Sequence, residues 1–161
     1  MPSYGLPGLE RSGHDLKPRR TLVFKLGLIL SNKLPSQTQL VNLYSAVGWI
    51  AYTQNKKNLV KAFNNSVFIT AWSNEQLVGL ARGITDQQSI LFIQDVLVLP
   101  DFQRQKIGSR LISNLVQTYP VGQTVLITDD EEETQSFYTA IGLRDAGANH
   151  IRTFFKDTRW N

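Results

Sequence analysis

Gln94 and Asp95 are adjacent polar residues inside an otherwise apolar run, Ile90 to Leu99. Neighbouring residues of a strand point to opposite faces, so at least one of the two is directed where apolar neighbours imply burial. Such a carboxylate is either a site group that moves protons or an aspartate satisfied by backbone amides or by an arginine such as Arg82. Pro100 closes the run, and Asp101-Phe102-Gln103-Arg104-Gln105-Lys106-Ile107-Gly108-Ser109 leads at once into an amphipathic segment. That order reads as a buried strand, a basic turn and a helix N-terminus, whose unpaired backbone N–H groups can hold phosphate oxygens. The chemistry it suggests is recognition of a phosphate-bearing cofactor.

Other reactive groups are sparse. The chain contains no cysteine, which excludes a disulfide scaffold and a thiolate metal site. The run Asp129-Asp130-Glu131-Glu132-Glu133 has the charge for a metal. Consecutive residues at a helix start diverge, however, and no histidine lies nearby; the run is expected to load a helix N-terminus, where the macrodipole favours carboxylates. His14 and His150 are isolated in sequence, so no metal is expected, although His150 could line a pocket. The 17 basic and 13 acidic residues leave a net charge of +4, which suits an anionic small ligand as well as a weak polyanion contact. Nucleic acid is not an expected partner, because basic residues nowhere cluster with aromatics, and neither is a membrane.

The elements that must position these groups follow from periodicity. At 161 residues the chain is the size of one domain. Residues 1–20, rich in Pro and Gly, read as a flexible N-terminal arm, and 21–161 as a single domain. A first strand is expected over Leu22 to Ile29, a helix capped by Ser36 and carrying Leu40, Val41, Leu43 and Tyr44, and a second helix near Gln54 to Phe63. Strands are expected over Val67 to Trp72, Gln76 to Ile84 and Ser89 to Leu99, joined by turns short enough to be hairpins. Ile107, Leu111, Leu115 and Tyr119 then share one face of a helix. Val125 to Thr128 reads as a short strand returning parallel to Ile90–Leu99, and the next helix ends at Gly142. A final strand pair is expected around Leu143 to Asp145 and His150 to Phe155. The class is α/β (α+β), a mixed, mostly antiparallel sheet flanked by helices, in the order β-α-α-β-β-β-α-β-α-β-β. With neither a secretory signal nor cysteine, a cytoplasmic location is the default.

This order, with Asp95-Val96-Leu97-Val98-Leu99-Pro100, the Gln103 to Ser109 turn and Phe137-Tyr138-Thr139-Ala140-Ile141-Gly142-Leu143, resembles the GNAT superfamily of acetyl-CoA-dependent N-acetyltransferases over about Thr21 to Lys156. The family turn, Gln/Arg-x-x-Gly-x-Gly/Ala, falls here on Gln103, Arg104, Gln105, Lys106, Ile107 and Gly108. Lys106 stands where the pattern has its first glycine; if that position needs φ > 0, the lysine costs on the order of 1 kcal/mol. The resemblance implies acetyl-CoA as donor. Its pantetheine arm would lie in a gap beside Val96, Leu97 and Val98, with Val96 and Val98 bonding it through their backbone. Its diphosphate would sit on the amides of Gln105 to Ser109, with Arg104 and Arg110 supplying charge.

The implied reaction is acetyl transfer to a primary amine by direct attack, which without cysteine cannot pass through an acetyl-cysteine. An amine of pKa about 10.4 is neutral only on the order of one part in a few thousand at pH 7, so a proton must be removed. Asp95 is the candidate base, directly or through water. By resemblance Tyr138 is the acid toward the departing sulfur; the alternative is that Phe137 and Tyr138 are core aromatics. Gly48-Trp49 and Tyr52-Thr53 fall where the family covers its acceptor, and could hold an amine or merely pack two helices. A small-molecule amine is favoured. A protein lysine acceptor and a non-catalytic acyl-CoA-binding sensor are the alternatives, and a homodimer is possible.

Overall fold

The computed structural model describes residues 22–23 and 27–158. The arm expected over residues 1–20 lies outside them. The expected first strand is two, β1 (Leu22–Val23) and β2 (Leu28–Ser31), paired antiparallel. Gly27 sits just before β2 at φ 70°, a left-handed conformation that interrupts extended chain and that glycine adopts without steric cost.

Helix α1 (Gln37–Ala46) opens with a full capping box: the Gln39 N–H donates to Ser36 Oγ at 3.2 Å and the Ser36 N–H donates to Gln39 Oε1 at 2.9 Å. Its buried face is Leu40, Leu43 and Tyr44. A four-residue helix, α2 (Ile50–Thr53), precedes α3 (Lys56–Asn64), which Asn55 caps and which buries Leu59 and Phe63. Strands β3 (Val67–Ser73), β4 (Gln76–Thr85) and β5 (Ile90–Val98) form an antiparallel meander. A 3-10 turn at Pro100–Phe102 leads to α4 (Ile107–Thr118), then β6 (Gln123–Leu126) and α5 (Glu132–Ala140). The six strands lie in sequence order in one sheet, antiparallel except for the parallel pair β5–β6.

Two apolar cores sandwich the sheet. Leu111, Ile112 and Leu115 of α4 pack with Leu28, Leu30, Ile69, Leu91 and Ile93 on one face. On the other, Leu40, Leu43, Tyr44, Leu59 and Phe63 pack with Trp72, Leu80 and Leu97. Leu91 and Ile93 therefore face α4, whereas Leu97, an even number of residues further on, faces α1 and α3. The cause is a β-bulge. Arg82 pairs with Asp95 and Gly83 with Ile93, leaving Gln94 as the extra residue that inverts the alternation. Close packing of α4 also requires Gly79, where a Cβ would lie 2.8 Å from the Leu97 carbonyl oxygen and 3.2 Å from Leu111 Cδ1.

The expected final strand pair is absent among the described residues, and 143–145 and 151–158 carry no regular structure. The Asp145 carboxylate accepts from the N–H groups of Gly147 and Ala148, and the Asn149 amide donates back to the Asp145 carbonyl. These local bonds satisfy the backbone inside a turn and compete with sheet pairing. His150 ends the turn in a left-handed conformation and is exposed.

Candidate active site

The segment from Gln103 to Ser109 runs as a turn into the N-terminus of α4. Arg104 and Lys106 both adopt left-handed backbone, at φ 58° and 61°, and Lys106 is the N-cap of α4 without a side-chain cap bond. The first-turn amides of Ile107, Gly108 and Ser109 have no intrahelical acceptor by construction, which leaves an anion-accepting helix end. Gly108 lets Phe137 of α5 approach; a Cβ there would meet its ring at 3.3 Å. A non-glycine residue in left-handed backbone costs about 1–2 kcal/mol, partly offset for glycine by chain entropy. Lys106→Gly is therefore expected to raise stability by up to about 1 kcal/mol, a rise of roughly 2–4 °C in melting temperature. A fall in a thermal melt would mean that the lysine stem makes compensating contacts.

Beside this turn the sheet opens. β6 ends at Leu126, opposite Ile93, while β5 continues to Val98. The Leu99 N–H donates to the Val78 carbonyl at 2.8 Å, so by strand alternation the peptide groups of Val96 and Val98 face the side that β6 has left. Leu97 is buried on the α1 side, and its own N–H and C=O face β4, so the gap is met by the peptide groups of its neighbours Val96 and Val98 and not by Leu97. The Val98 carbonyl already accepts from Gln103 Nε2 at 3.1 Å, which ties the turn to the strand. A cavity of about 690 Å³ runs along α4, bounded by Ser109, Arg110 and Ser113 and by Ile141 to Leu143.

Tyr138 stands on α5, half-buried, its ring 5.0 Å from that of Phe137. Burial and the nearby Asp129 charge hold its phenol above the ordinary value, against an opposing hydrogen bond with Thr128. Its hydroxyl thus lies by the residues that follow β6, where the two parallel strands part. The acidic run begins before the helix it was expected to cap. Glu132 and Glu133 occupy the first turn, Glu131 is an N-cap without a side-chain bond, and Asp129 accepts from the Glu131 N–H. Among the described residues no group of three or more His, Cys, Asp or Glu could hold a metal ion.

Asp95 is 1% exposed on the opposite face, against α1 and α3. Its Oδ2 accepts from Arg82 Nε and from the Tyr44 hydroxyl, each at 2.5 Å, and Arg82 Nη1 donates to Ser66 Oγ at 2.9 Å. Burial would lower the Arg82 pKa, but Asp95 and Tyr44 together outweigh it and the guanidinium stands above its usual value. Burial first, and then Asp95, push the Tyr44 phenol far up. This is the arrangement in which Arg82 satisfies the aspartate, with one difference: Asp95 Oδ1 is buried and has no hydrogen-bond partner.

Sequence reasoning placed Tyr44 only on an apolar helix face and did not find its bond to Asp95. The signal available was a phenol among aliphatic neighbours, since a buried hydroxyl needs a partner. Tyr44 also packs on Tyr52 and Trp49, with ring centroids 5.4 and 6.2 Å away, and Gln94 Nε2 donates to Tyr52 Oη at 3.2 Å. The aromatics between the early helices are thereby brought to the bulge.

This mixed sheet, opened between its parallel strands with an uncapped helix N-terminus beside the opening, is the scaffold of an acyltransferase. Residues 35–143 match the family model of the Acetyltransferase (GNAT) family, and the chain belongs to that family. It is 32% identical over 125 residues to an uncharacterized N-acetyltransferase, ycf52, of Pyropia yezoensis, covering 74% of this chain and 71% of that one. A GNAT family acetyltransferase of Streptococcus pneumoniae superposes with a TM-score of 0.70 at 28% identity, over 82% of this chain and 97% of that one. The paia N-acetyltransferase of Thermoplasma acidophilum, solved in complex with coenzyme A, shares the fold at a TM-score of 0.59 and 14% identity, over 73% and 89% of the two chains. Among the described residues no helix is long and apolar enough to cross a membrane.

Proposed function

We propose that the protein transfers the acetyl group of acetyl-CoA to a primary amine, with a small-molecule amine as the favoured acceptor. The observation that carries this reading is the uncovered edge of β5 beyond Ile93, lying next to the uncapped N-terminus of α4. The residues present fit the donor. The peptide groups of Val96 and Val98 would hold an extended amide-bearing arm, and the amides of Ile107 to Ser109 a diphosphate, with Arg104, Lys106 and Arg110 supplying positive charge around it. When bound, the donor supplies a thioester as the activated acyl group. The amine nitrogen attacks the thioester carbonyl, the carbon–sulfur bond breaks, and the amine loses a proton. Asp95 takes that proton, and Oδ1 is the carboxylate oxygen left without a hydrogen-bond partner to receive it. Tyr138 donates a hydrogen bond to the sulfur as negative charge develops there.

Thermal unfolding with and without acetyl-CoA tests the first half of this reading. At a concentration near a hundred times the dissociation constant, binding to the native state adds about 2.7 kcal/mol, which raises the melting temperature by several degrees. No rise up to millimolar acetyl-CoA would remove the donor from the proposal. Thiol release with a panel of benzylamine, spermidine and a lysine-bearing peptide tests the second half, and a protein without cysteine contributes no background.

A further inference from the structure

Two hydrogen bonds join the helical cap formed by α1 and α2 to consecutive residues of β5. Tyr44 of α1 donates to Asp95 Oδ2, and Gln94 donates to Tyr52 of α2. The first is not needed to neutralise charge, since Arg82 already pairs with the same oxygen. What Tyr44 adds is geometric. Two donors converging on Oδ2 from different elements, α1 and β4, fix the rotation of the carboxylate and leave Oδ1 as its one unengaged oxygen. Tyr44 is 0% exposed, and its ring is wedged among Trp49, Tyr52 and Phe63, so its hydroxyl moves only if the cap moves.

From this geometry we infer that Tyr44 is a positioning residue for proton removal, holding Asp95 with Oδ1 turned out of the Arg82 ion pair and linking that orientation to the seating of Trp49 and Tyr52. The inference rests on the reading of Asp95 as proton acceptor. The polar or charged groups facing Asp95 are Tyr44 from α1 and Arg82 from β4. Past the end of α3, Ser66 reaches the site only through Arg82, and it does not ionise. In Tyr44→Phe the ring packing is kept and Oδ2 retains Arg82, but the carboxylate gains freedom to rotate and engage Arg82 with both oxygens, as forked guanidinium–carboxylate pairs do.

The test compares wild type, Tyr44→Phe and Tyr52→Phe, each shown to be folded by circular dichroism and assayed well below its melting temperature. The donor is saturating acetyl-CoA, and the acceptor is whichever of benzylamine, spermidine or the lysine peptide is turned over fastest. For Tyr44→Phe the expected result is a roughly tenfold fall in kcat with KM for acetyl-CoA unchanged, and a solvent deuterium isotope effect on kcat larger than in wild type. Tyr52→Phe, which releases Gln94 but leaves both donors to Asp95 Oδ2 in place, keeps the wild-type isotope effect. A Tyr44→Phe enzyme with wild-type kcat and isotope effect overturns the inference while the acetyltransferase reading stands. So does a loss in which kcat and KM change together with no change in isotope effect, the mark of a merely structural role. Wild-type protein inactive on all three acceptors overturns the function itself. If Tyr44→Phe does not fold, a Tyr52→Phe isotope effect raised above wild type would equally refute the assignment to Tyr44.

Discussion

Asp95→Asn should destabilise the protein by about 3–5 kcal/mol, because it removes one partner of a buried ion pair and leaves the Arg82 guanidinium uncompensated. Arg82 is 4% exposed and Asp95 1%, so water cannot take over the lost interaction without opening the core between α1, α3 and the sheet. Urea denaturation reads the loss directly: with a slope of about 2 kcal/mol per molar, the midpoint should fall by roughly 2 M. The paired replacement Arg82→Met with Asp95→Leu should recover a large part of that, since apolar residues of similar volume often match a buried pair. The result that would sink this account is a single-variant loss under about 1 kcal/mol, the size expected of a solvated surface pair. Activity of the single variant is interpretable only where it remains folded, so stability comes before kinetics here.

Tyr138→Phe carries the largest expected effect on rate. The substitution keeps the ring against Phe137 and the α4-side core and removes only a hydroxyl held near Thr128 and Asp129. A donor aimed at developing charge in a low-dielectric site is worth about 10²-fold or more in kcat. Binding of acetyl-CoA should stay within about twofold, because the hydrogen bond strengthens only as the sulfur becomes negative. Because burial and the Asp129 charge raise this phenol above its ordinary pKa of about 10, the hydroxyl stays protonated through the neutral range; any loss of rate from its ionisation belongs above that value. Steady-state kinetics combined with a binding isotherm separates the outcomes. Unchanged kcat would return Tyr138 to the rank of a core aromatic, and equal loss of binding and rate would make it a structural support for the cofactor gap. A sensor without turnover would show binding in both proteins and a rate in neither.

Much of the architecture was legible because it depends on short-range patterns. The Ser36 cap, the turn residues that separate the strands over Val67 to Trp72 and Gln76 to Ile84, and the single apolar face of α4 each rest on patterns within a few residues. The turn at Gln103 to Ser109 was legible as well; the cost at Lys106 followed from the family pattern only on the condition of a positive φ, which the observed 61° meets. Two elements were misread for the same kind of reason. Gly27 separates β1 from β2, and Asp145 gathers residues 145–149 into a turn. In both places a local conformational preference competed with a plausible strand pattern.

The candidate site divides along the same line. Composition and order determined by themselves that at least one of Gln94 and Asp95 would face a buried side and need a partner, that a helix N-terminus would follow the strand carrying them, and that no cysteine chemistry was possible. They did not determine which way Asp95 points. The alternation rule puts Leu91, Ile93, Asp95 and Leu97 on one face, and only the pairing of Arg82 with Asp95 and of Gly83 with Ile93 reveals the bulge at Gln94 that sends the last two to the other. Nor could spacing join Tyr44 to a carboxylate 51 residues away. A bulge is settled by how two strands compete for hydrogen bonds across a sheet, and a buried hydroxyl finds its acceptor only once distant elements have packed. Local sequence thus determined the elements and the turn, and tertiary packing decided which side chains share a site.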